Sequence, residues 1–169
     1  MKNKIFIEYT GSVKSIVLNK EYPKYINAFK KYKRIILIGN GGSNSIASHI
    51  SQDMTKFFKK KAFSFSDPSM LTCFINDFGM SNAYTQFLKY YTDKNTLVIL
   101  ISSSGQSKNI INCVNYLEKN KFPYGVLTGF NNLNTVRTIS KNALFNFHVK
   151  SKKYGIVECV HQIFLHGPI

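Results

Sequence analysis

Arg34-Ile35-Ile36-Leu37-Ile38-Gly39-Asn40-Gly41-Gly42-Ser43-Asn44-Ser45 is the stretch that decides how this chain is read. Its four consecutive aliphatic residues, 35–38, show no alternation with polar positions. An unbroken apolar run of this length reads as a strand covered on both faces, as in a parallel sheet between helices. The run stops at a loop of Gly, Asn and Ser, and residues 45–58 then read as a helix. Glycines in such a loop allow positive φ and close backbone approach. The first turn of the following helix offers free N–H groups and the positive end of its dipole. Strand, loop and helix together make a place to hold an anion or a sugar hydroxyl. The loop lacks the Lys-Ser/Thr pair of a P-loop and the spacing of a dinucleotide fingerprint. Its plainer role is a tight capped turn.

Outward from this stretch the pattern repeats. Residues 97–101 (Leu-Val-Ile-Leu-Ile) and 124–127 (Tyr-Gly-Val-Leu) are further buried strands, with 62–65 and 144–149 as shorter candidates. Helices are expected at 81–91, with Ser81 as N-cap, at 107–120 and at 155–166. The second of these carries Ile110, Ile111, Val114 and Leu117 as a 3.6-residue stripe. Residues 3–32 read as mostly helical with a break near Pro23. Strands alternating with helices predict an α/β fold, a doubly wound parallel sheet with helices on both faces. Ligands of such sheets bind beyond the carboxyl ends of the strands. There the second long strand ends in Ser102-Ser103-Ser104-Gly105-Gln106-Ser107. Hydroxyls around a glycine at a helix N-terminus can hold a phosphate without a cation, although Ser107 also serves as a simple N-cap. Two such loops, each after a buried strand, point to a phosphate-bearing ligand.

The length of 169 residues suits one domain, and the four prolines fall between periodic segments or at the end. The net charge of +15 raises the question of nucleic acid. Its lysines are scattered, however. The densest clusters (Lys56, Lys59, Lys60, Lys61, and Lys30, Lys31, Lys33, Arg34) accompany no stacking platform or known binding pattern, so nucleic acid is not the expected partner. Cys73, Cys113 and Cys159 are odd in number and far apart, which fits reduced thiols and a cytoplasmic location. Neither a signal-peptide apolar region nor a membrane-spanning run is read, so no membrane is expected.

Titratable groups cluster on two helices. His49 and Asp53 are four apart and share a face, where they can hold one metal ion or pass one proton. Glu158, His161 and His166 share the last helix. Each has a plain alternative: a solvated pair for His49 and Asp53, a satisfied core histidine for His161 beside Val160 and Ile163. His148 is assigned no role.

Read in order, Gly39-Asn40-Gly41-Gly42-Ser43, His49-x-x-x-Asp53, Asn76-Asp77-Phe78-Gly79, Ser102 to Ser107 and Glu158-x-x-His161-x-x-x-x-His166 resemble the phosphoheptose isomerase branch of the sugar isomerase (SIS) family, over roughly 25–166. The resemblance implies a three-layer, five-stranded parallel sheet. On this reading 1–169 is a single domain, with an N-terminal helical segment at about 3–32 and a sugar-phosphate-binding core at about 34–166. It also implies a homotetramer with sites between subunits. The implied reaction converts sedoheptulose 7-phosphate to a heptose 7-phosphate for surface polysaccharide. By position, Ser102, Ser103, Ser104 and Ser107 would hold the phosphate, and Asn40, Gly41, Gly42, Ser43 and Asp77 would line the sugar. His49, Asp53, Glu158 and His166 fall on the zinc-binding positions, one zinc per subunit, and Asp53 and His166 on the catalytic acid/base pair.

The chain departs from the family pattern in three places. Asp53 stands where many relatives have Glu, Glu158 where Gln is usual, and Gly167-Pro168 closes the last helix directly after His166, which exposes that turn to fraying. A non-catalytic relative that senses a sugar phosphate or binds a protein partner is the alternative these departures suit.

Overall fold

A computed structural model, which describes residues 3–168, shows a five-stranded parallel sheet in the order β2-β1-β3-β4-β5, with helices on both faces. Two helices, α1 (Lys4–Val17) and α2 (Glu21–Lys31), precede the sheet. Then come β1 (Arg34–Gly39), α3 (Gly42–Phe58), β2 (Lys61–Ser64), α4 (Pro68–Phe78) and α5 (Met80–Tyr91). The chain continues through β3 (Thr96–Ser102), α6 (Lys108–Asn120), β4 (Tyr124–Thr128), α7 (Thr135–Ile139), β5 (Asn146–His148) and α8 (Tyr154–His166). Residues 1, 2 and 169 of the expected domain lie outside the described residues.

The apolar runs become the central strands because both of their faces are covered. Alternate side chains of a strand point to opposite faces. Ile35, Leu37, Leu97, Ile99 and Ile101 pack with α1, α2, α3 and α8. Ile36, Ile38, Val98 and Leu100 pack with α5 and α6 on the other face. Ile35 to Ile38 pair in parallel with Leu97 to Leu100, so the two strands end together and present their loops side by side. The chain leaves β1 for β2 on one side of it and returns as β3 on the other. The carboxyl ends of β1 and β3 therefore form the crevice where such sheets bind ligands.

Several boundaries differ from the sequence reading. The N-terminal break falls at 18–20, because Pro23 sits in the first turn of α2, where an amide has no intrahelical partner to lose. Pro68, read as a breaker, instead opens the unanticipated helix α4. Asp67 caps it, its carboxylate accepting from the Met70 N–H at 2.8 Å. Helix α5 starts at Met80 with Gly79 at its cap, so Ser81 lies inside the first turn and is not the N-cap. Helix α3 starts at Gly42, three residues earlier than expected. The last turn of α8 is held rather than frayed: the Tyr25 hydroxyl donates to the Leu165 carbonyl at 2.8 Å, and the Tyr22 ring lies 5.5 Å from that of Phe164. No described helix is long and apolar enough to cross a membrane. Cys73, Cys113 and Cys159 are all free thiols.

Candidate functional site

Two loops meet at the crevice. Strand β1 ends at Gly39, and Asn40, Gly41 and the first turn of α3 follow; β3 runs into Ser102, and residues 103–107 lead to α6. A small cavity of about 140 Å³ between them is lined by Asn40, Ser43, Ile101, Ser102, Ser103, Ser104, Ser107, Tyr154 and Glu158. It thus gathers all four serines expected to hold a phosphate, together with Asn40 and Ser43. Ser102 Oγ accepts from the Gly105 N–H at 3.2 Å and Ser104 Oγ from the Gln106 N–H at 3.3 Å, so the loop curls around its own hydroxyls. Ser107 is the N-cap of α6, yet its hydroxyl makes no capping bond. Ser103 Oγ is buried and has no hydrogen-bond partner among the described residues. An orphaned buried hydroxyl costs free energy unless something else satisfies it, and a phosphate oxygen in the cavity would do so.

The two loops are locked together. Asn40 Nδ2 donates to Asn109 Oδ1 at 3.0 Å, and Asn109 Nδ2 donates back to Asn40 Oδ1 at 2.8 Å. Sequence reasoning missed Asn109. The signal was present, since Asn109 lies one turn before Cys113 on the inward face of α6, where a polar residue needs a partner. Gly105 sets the shape of the serine loop. Its φ is +64°, and a Cβ there would lie 1.9 Å from Asn134 Oδ1, the atom that caps α7 by accepting from Arg137 N–H. Gly105→Ala therefore meets both a left-handed backbone and a clash. It is expected to cost about 1–3 kcal/mol and to weaken phosphate binding in the serine cavity about tenfold, read by thermal melting and titration calorimetry.

Helices α3 and α8 carry the titratable groups. His166 Nε2 lies 3.1 Å and His49 Nε2 3.4 Å from the same Asp53 oxygen, and the two rings are 5.3 Å apart. Ligand atoms of His49, Asp53 and His166 all lie within 4.8 Å of one another. Arms of 2.0–2.1 Å at a tetrahedral angle put neighbouring zinc ligands about 3.3 Å apart. Two imidazoles and a carboxylate this close together could hold a metal ion.

Glu158 does not join this group. Its carboxyl lies over Gly42, where a Cβ would come within 2.5 Å of it, and it faces the serine cavity instead. Burial raises its carboxyl above the ordinary carboxylate value. Gly41 takes φ +53° at the cap of α3 with open space beside it, and so leaves room for a ligand. Asp77 is not among the residues lining the cavity. It lies exposed at the end of α4, its carboxylate accepting from Asn76 Nδ2 at 3.0 Å and from Cys73 Sγ at 3.6 Å.

His161 is a core residue. It is fully buried, and its Nε2 donates to the Thr128 carbonyl at 3.0 Å. His148 Nδ1 lies 3.2 Å from the Thr128 hydroxyl. Burial pushes both imidazoles down to about 4, helped at His148 by Arg137. Because both lie below the ordinary imidazole value of 6.5, the unfolded chain binds more protons between pH 4 and pH 6.5. Stability is therefore complete above that window and is lost as pH falls through it. The melting midpoint is expected to drop from pH 7 to pH 5, less steeply in His161→Asn.

No family model matches the chain. It is similar to a phosphoheptose isomerase of Buchnera aphidicola, at 35% identity over 118 residues, which is 67% of this chain and 61% of that protein. A phosphoheptose isomerase of Fusobacterium nucleatum is 38% identical over 96 residues, 54% of this chain and 50% of that protein. The matches thus span about three fifths or less of the length of these curated relatives. In fold, the chain resembles the solved structure of a phosphoheptose isomerase from Neisseria gonorrhoeae, with a TM-score of 0.84 at 20% identity. That likeness covers 96% of this chain and 91% of the other.

Proposed function

We propose that the chain is a sugar isomerase (SIS) family protein of the phosphoheptose isomerase branch, to whose members it is similar, and on that premise an aldose–ketose isomerase of a phosphorylated sugar. Sedoheptulose 7-phosphate, converted to a heptose 7-phosphate for surface polysaccharide, is the proposed substrate. The observation that carries the reading is the pairing of a serine cradle, with an unpartnered Ser103 hydroxyl, and a His49–Asp53–His166 cluster on the two helices that also line the cradle.

Ser102, Ser103, Ser104 and Ser107 take the phosphate through hydroxyls and the free amides at the start of α6. Asn40, Gly41, Gly42 and Ser43 take the sugar hydroxyls; Asp77 is retained as a sugar contact on the family pattern alone. From Ser43 to His49 along α3, and from Glu158 to His166 along α8, the helix rise amounts to about 9–12 Å. This separates the phosphate end of the ligand from its reacting end. There, one of Asp53 and His166 takes a proton from the carbon beside the carbonyl, and the other returns a proton to the neighbouring carbon through an enediol. Zinc held by His49, Asp53 and His166 would polarise the carbonyl. Glu158, facing the cradle, is better placed for the sugar than for that ion.

The test is to incubate zinc-supplemented protein with sedoheptulose 7-phosphate in D₂O and follow the sugar by proton NMR. Solvent deuterium at the carbons flanking the carbonyl, with a new aldose signal, is the expected result. Binding without exchange for this and other sugar phosphates would overturn the isomerase reading in favour of a sensing module.

We also propose one domain over 1–169, a cytoplasmic location and a homotetramer. Phe6, Ile7, Val17 and Leu18 of α1 and its C-cap stay largely exposed, a face that assembly would cover. The double substitution Phe6→Glu/Ile7→Glu is expected to lower the mass seen by light scattering without unfolding the chain.

A further inference from the structure

We propose that the cleft between the loop after β4 and the segment after β5 is a second anion site, built for a small phosphate-bearing metabolite and separate from the serine cradle. The cleft has a volume of about 610 Å³ and is lined by Phe130, Asn131, Asn132, His148, Lys150 and Lys152. Pockets of roughly 300–1,000 Å³ suit small metabolites.

Its basic wall is set by alternation. Phe147, Val149 and Ser151 are buried in the body of the protein, whereas Lys150 and Lys152 between and beyond them are exposed. An extended segment that buries its odd positions turns the even ones, His148, Lys150 and Lys152, to the opposite side. The facing wall is held in an uncommon conformation. Phe130 has φ +60°, and its N–H donates to the Ser151 carbonyl at 2.9 Å, which ties the two walls together. A left-handed backbone at a bulky residue is an outlier of the kind that concentrates at ligand sites.

The chemistry of the lining is one-sided. It contains no carboxylate. Among the described residues, Lys150 and Lys152 pair with no acid. The nearby Glu8 is already engaged by Lys153 and Ser151. Asn131 spends its side-chain oxygen on the Leu133 N–H at 2.9 Å, which leaves its amide hydrogens for the cleft. His148 is neutral near pH 7 and adds no acid. Two ammonium groups and two side-chain amides in a concave site match the oxygens of a phosphate group. A nucleic-acid backbone would need a longer basic stripe than two lysines. Phe130 on this side and Tyr154, which lines the cradle, meet edge to face at 4.7 Å and stand between the two cavities.

The test is an amide NMR titration of the full chain with inorganic phosphate at about 0.15 M salt. Amides of 130–132 and 150–152 are expected to shift along a saturating curve distinct from that of 102–107. Lys150→Gln/Lys152→Gln should weaken the first curve about tenfold or more and leave the second unchanged. The proposal is overturned if the cleft amides do not shift, if they shift alike in the double variant, or if their response never saturates, which would be general counter-ion attraction. Displacement of phosphate from the cleft by a short DNA duplex at the same salt would also overturn it, by assigning the lysines to nucleic acid.

Discussion

His166→Ala is expected to lower the proposed isomerisation of a phosphorylated sugar by about 10²–10⁴-fold while ligand affinity changes little. His166 is bonded to Asp53 at 3.1 Å and is not among the residues that line the serine cavity. It is half-buried at the end of α8, outside the packed interior, so the fold should tolerate its loss. Asp53→Asn keeps the shape of the carboxylate but removes its charge, and should cost a similar factor. If the two residues act as one proton-transfer unit, the double variant should lose little more than either single one, as groups that work together do. Deuterium exchange from solvent into the sugar reads the chemistry, and titration calorimetry reads the binding. Undiminished exchange in both single variants would remove Asp53 and His166 from the mechanism. His49→Ala separates a metal role from a proton role: bound zinc should fall in that variant, measured by metal analysis of the purified protein, whatever happens to turnover.

The parts of this molecule that were legible in the sequence are those where one physical requirement leaves little choice. Residues 35–38 and 97–101 must be central strands, because a run of β-branched and aliphatic residues without alternation needs cover on both faces, and they occupy β1 and β3. The loops after them follow from Gly, Ser and Asn at strand ends. The pairing of His49 with Asp53 follows from their spacing of four, and that of both with His166 only from the family pattern, because α3 and α8 are brought together by packing. What could not be read depends on contacts between distant segments. Pro68 looked like a breaker, and only the Asp67 cap shows that it starts a helix. Glu158 was placed with the metal ligands by position, but its carboxyl is drawn over Gly42, an approach that no local pattern reports. Asn109 became visible as a residue that joins the two loops only once Asn40 stood opposite it.

Phe164→Ala is expected to have the largest effect on stability, because this ring is where the N-terminal helices, the sheet edge and α8 meet. It stacks on Phe147 of β5 at 4.0 Å and on Tyr25 of α2 at 5.1 Å, and it takes an edge contact from Tyr22 at 5.5 Å. It is fully buried, so its removal opens a cavity among three aromatic neighbours that cannot all collapse into it. Truncations of this kind cost about 3–5 kcal/mol, which for a chain of this size lowers the melting midpoint by roughly 6–20 °C. The consequence for the site follows from chain position. Phe164 lies two residues before His166 and one turn after His161 on the same helix. Loosening its dock should release the last turn of α8, which the Tyr25 hydroxyl otherwise holds through Leu165. The fraying expected from Gly167-Pro168 would then occur in the variant and not in the parent chain. Hydrogen exchange separates the two levels. Amides of 162–166 should lose protection more than the global midpoint accounts for, while those of 102–107, held by β3 and the Asn40–Asn109 pair, should follow the global change only. Equal loss in both segments would mean that α8 unfolds only with the whole chain and that His166 is positioned by global stability, not by the aromatic dock.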